Sequence, residues 1–60
     1  MTHYQKGRFV MDYLKELGVD WDIILDAICD ENLEQSYKLI TENPQISKRE
    51  FLERMQISED

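Results

Sequence analysis

Apolar residues recur at three- and four-residue spacing through most of this sequence, and no stretch alternates with the period of two that marks a strand. Two glycines and one proline are its strongest breakers. Such a pattern restricts the chain to short helices that bury their apolar faces against one another. The expected fold is all-α: a compact bundle of four short helices forming a single domain over residues 1–60.

The elements can be placed from their caps and stripes. FVMDYLKEL puts Phe9, Val10, Tyr13, Leu14 and Leu17 on one side of a first helix that begins as early as Tyr4. Gly18 occupies the C′ position and Val19 closes a Schellman-type contact. Asp20 is the expected N-cap of the second helix. There Trp21, Ile24, Leu25, Ile28 and Cys29 form a core-facing stripe, which Ile23 and Ala27 widen, so this helix is expected at the centre of the fold. Asn32, with Gln35 at N3, is expected to cap a third helix whose inner face carries Leu33, Ser36, Tyr37 and Ile40. Pro44 ends that helix by disfavouring α geometry at Asn43. Ser47 and Glu50 then form a capping box, and Ile46 and Phe51 a hydrophobic staple, for a fourth helix continued by Leu52 and Met55. Ser58, Glu59 and Asp60 have the character of a further helix start.

A chain of this length buries only roughly 60% of its unfolded surface, so its stability must come from helix packing or self-association. Cys29 is the single cysteine and His3 the single histidine, which exclude an internal disulfide and the usual zinc ligand sets. No cofactor or metal is expected. A lone thiol, the absence of a signal peptide after a natural-looking start and the absence of a membrane-length apolar run fit a cytoplasmic protein.

The net charge of −6 argues against a general nucleic-acid binder, whose affinity comes from cations on phosphates. The acids gather in the middle: residues 9–37 carry eight of them against Lys15 alone. Asp22, Asp26 and Asp30, spaced i, i+4 and i+8, form an acidic stripe suited to a protein partner with a basic surface. Asp30 is unfavourably placed there, because it lies toward the negative end of the second helix. His3 is expected to be an ordinary exposed residue, Cys29 a small buried hydrophobe and Trp21 part of the core. The apolar side chains of the first helix exceed what four short helices can hide. A homodimer is therefore expected, with Phe9, Tyr13 and Tyr37 as self-association residues and Tyr4 adding aromatic area. No nucleophile motif or Gly-rich phosphate loop is present, so no enzymatic activity is expected.

Three resemblances accompany this reading. LITENPQISKREFLERMQIS, residues 39–58, resembles the first part of a helix-turn-helix or winged-helix regulator. That likeness implies a DNA-binding ancestry, but the recognition helix would start only at about Ser58. Its functional form is a degenerate DNA-binding dimer using Lys6, Arg8, Lys48 and Arg49. Residues 34–55 are similar to the helical hairpins through which Sin-type repressors and their antirepressors pair, with Tyr37 at the family's tryptophan position. This likeness implies dimerisation and antagonism of a regulator. ELGVDWDIILDAICDENLEQSYKLI resembles the three-helix pattern of ubiquitin-associated domains and bears on fold shape alone. The expected function is that of a small acidic non-enzymatic interaction module regulating a transcription or replication factor, in the manner of an antirepressor or inhibitor.

Overall fold

The computed structural model describes residues 2–57. Four helices follow one another: α1 (His3–Glu16), α2 (Trp21–Ala27), α3 (Asp30–Glu42) and α4 (Lys48–Met55). No strand occurs among the described residues. The helices form one globule of 30 × 22 × 19 Å.

Helix α1 starts earlier than its apolar stripe suggested. Thr2 and Gln5 form a reciprocal capping box: the Gln5 N–H donates to Thr2 Oγ1 at 3.2 Å and the Thr2 N–H to Gln5 Oε1 at 3.0 Å. Gly7 lies inside the helix, where a Cβ would stand 4.0 Å from Leu33. At the other end Gly18 has φ of +80°, and the Val19 N–H reaches the Leu14 carbonyl at 3.0 Å while that of Gly18 reaches Lys15. These two bonds are the expected Schellman motif, and both Leu14 and Val19 are buried.

Asp20 holds the N-cap position of α2, but its side chain makes no cap hydrogen bond. The helix lasts seven residues, and its inward face differs from the expected one. Ile23, Ile24 and Ala27 are buried, whereas Trp21 and Leu25 are 50% and 46% exposed. Ile28 is half-buried after the last helical residue, and Cys29 is exposed. The stripe from Trp21 to Cys29 overran the helix, because the chain turns at Ile28 and Cys29 to begin α3.

Cys29, not Asn32, is the N-cap of α3. Asn32 lies inside the first turn, and its side chain donates to the Asp26 carbonyl at 2.9 Å, closing α2 rather than opening α3. The same shift puts Asp30 and Glu31 in the first turn of α3, where negative charge is favoured by the helix dipole. The unfavourable placement expected for Asp30 therefore does not arise.

Helix α3, not α2, is the centre, since it packs closely against all three others, whereas α1 and α2 touch α4 only lightly. Its buried face is Leu33, Ser36 and Ile40, with Tyr37 half-buried beside them. The helix ends at Glu42 before Pro44, as expected. Ser47 then accepts from the Glu50 N–H at 3.2 Å. The Glu50 carboxylate pairs with Arg54 at 3.8 Å, so only the serine arm of the expected box forms. Ile46 and Phe51 are buried on either side of the cap, in the positions of the staple. A second Schellman pattern ends α4: Ile57 donates to Leu52 and Gln56 to Glu53, with Gln56 in the left-handed region at φ of 60°. The helix start expected at Ser58 to Asp60 lies outside the described residues.

One core joins these elements. Val10, Leu14, Ile24, Leu33, Ile40 and Phe51 are its largest fully buried apolar side chains. Ser36 is the one buried polar residue among those described.

Candidate functional site

The outer side of α1 and α2 collects what the core leaves out. On α1, Tyr4, Arg8, Met11 and Lys15 recur at i, i+4, i+7 and i+11 and so share one helix face. With Gly7, Asp12 and Ile28 they line a shallow groove of about 320 Å³. Lys15 continues the surface to α2, its Nζ standing 5.4 Å above the centre of the Trp21 ring. Trp21 and Leu25 of α2, with Ile28 just past its end, recur at i, i+4 and i+7 along the edge next to that groove. Asp22 and Asp26 follow one step further round the helix and are exposed. The result is a band of apolar side chains with Tyr4 66% exposed at one end, interleaved with Arg8, Asp12 and Lys15 on α1 and bordered by the carboxylates of Asp22 and Asp26 on α2. A half-exposed tryptophan and leucine beside charged residues have the make-up of an interface anchor with its rim.

The stripe Asp22, Asp26 and Asp30 is not continuous. Asp22 and Asp26 lie on α2, but Asp30 begins α3 and accepts a hydrogen bond, or forms an ion pair, with His3 Nε2 at 2.9 Å. That contact fastens the start of α1 to the start of α3. His3 is thus exposed, as expected, yet not without a partner.

The three expected self-association residues take different roles. Phe9 and Tyr37 meet edge to face, 5.4 Å between ring centres, with Phe9 40% exposed. Lys6 caps this pair, its Nζ 5.4 Å from the Tyr37 ring and 2.7 Å from the Glu34 carboxylate. The Lys6 ammonium holds the Glu34 carboxyl below its ordinary value, through its hydrogen bond first and its charge second. Tyr13 is committed within the chain: its hydroxyl donates toward the carbonyls of Ile46 and Pro44, at 3.0 and 3.1 Å.

The four cations of the DNA-binding alternative do not form one patch. Lys6 and Arg8 point to opposite flanks of α1 by helical spacing, and Lys6 is paired with Glu34. Lys48 and Arg49 open α4, a different element. Among the described residues, no three His, Cys, Asp or Glu side chains stand together in a way that could hold a metal ion. No described helix is long and apolar enough to cross a membrane.

The Trp21–Leu25–Ile28 edge is the feature that sequence reasoning misassigned. The signal was present: six of the eight residues from Trp21 to Ile28 are apolar, more than one seven-residue helix can turn inward. Comparison with family models, with curated proteins and with solved structures finds no match, so the functional reading rests on this geometry.

Proposed function

We propose that this chain is a non-enzymatic protein-interaction module, a small acidic regulator that acts by covering the surface of a transcription or replication factor. The observation that carries the reading is the half-exposed pair Trp21 and Leu25 set beside the carboxylates of Asp22 and Asp26. Apolar side chains kept at the surface of a marginally sized domain need a covering partner. The adjacent acids select a basic one by complementary charge and exclude other acidic surfaces. The pairing hairpins that residues 34–55 resemble fit an antirepressor or inhibitor role. The single thiol fits the cytoplasm.

Affinity capture from native lysate tests the reading. The wild-type chain is expected to retain a basic protein that Trp21→Ala releases and that Asp22→Asn with Asp26→Asn retains more weakly. Asp30→Asn is expected to matter less, because Asp30 is already engaged by His3. Equal capture by all variants would sink the proposal. The DNA alternative has less support, because its four cations are divided between separate elements. Titration with duplex DNA at low salt is expected to show no binding.

A further inference from the structure

We draw no further inference here: the strongest candidate, the apolar band that Tyr4 and Met11 of α1 form with Trp21 and Leu25 of α2, belongs to the surface already described, and nothing in the structure shows what covers it.

Discussion

The Ser36 hydroxyl donates to the Ala27 carbonyl at 2.9 Å, and both residues are fully buried. Ala27 ends α2, where helical carbonyls run out of N–H partners. The central helix supplies the missing donor. Met55 Sδ lies 3.8 Å from the Ser36 hydroxyl oxygen, so α4 closes over this bond. Ser36→Ala is expected to leave the Ala27 carbonyl buried without its donor and to cost about 1–3 kcal/mol. Urea unfolding would measure it, and an unchanged midpoint would show that the carbonyl finds another donor.

Tyr13 joins α1 to the connection before α4 through the Ile46 and Pro44 carbonyls. Tyr13→Phe keeps the ring and removes the donor. The expected loss is about 0.5–1.5 kcal/mol in unfolding free energy. Sedimentation of that variant should match the wild type, because the hydroxyl is turned into the chain.

Three backbone positions give opposite signs under small substitutions. Gly18→Ala forces a Cβ into the left-handed region at φ of +80° and should cost about 1 kcal/mol. Gln56 already bears that strain at φ of 60°, so Gln56→Gly should recover up to about 1 kcal/mol. Gly7 is helical, and its added Cβ meets Leu33 only at ordinary contact distance, so Gly7→Ala should stabilise by about 0.5–1 kcal/mol. Thermal melts of the three variants check the order.

Phe51 is the largest fully buried side chain and the main anchor of α4. Phe51→Ala is expected to cost about 3–5 kcal/mol. A 60-residue domain has only about 3–9 kcal/mol in total, so this variant should be largely unfolded by circular dichroism.

Glu34 titrates below its ordinary value of 4.5 because of Lys6. A carboxylate whose folded pKa is depressed stabilises the fold above its unfolded pKa, and loses that contribution as pH falls through the folded value. Glu34 itself is exposed, so the effect is small. Carbon-detected titration should show the Glu34 shift vanish in Lys6→Met, and persistence of the shift would assign it to another cause.

Elements with a local chemical signature were legible before the structure. Gly18 with Val19, Pro44 with Asn43, and Ser47 with Phe51 were all found where caps and breakers place them, because those signals act within one turn. The Thr2–Gln5 box acts as locally, but it lies ahead of the apolar stripe, whose period gives no sign of it. Near Cys29 local signals conflict: Asn32 has the chemistry of an N-cap, yet its amide is taken by the Asp26 carbonyl.

The sequence by itself determined that this protein is helical, where four of its helix boundaries fall and which side of α3 turns inward, since these follow from backbone sterics and helical period. Only the tertiary structure decided the orientation of α2. Trp21, Leu25 and Ile28 compete with Ile23, Ile24 and Ala27 for one inward face, and both sets satisfy the helical period. The turn at Ile28 and Cys29 and the packing on α3 choose the smaller set. The tryptophan is left outside, next to the charges that give the candidate surface its sign.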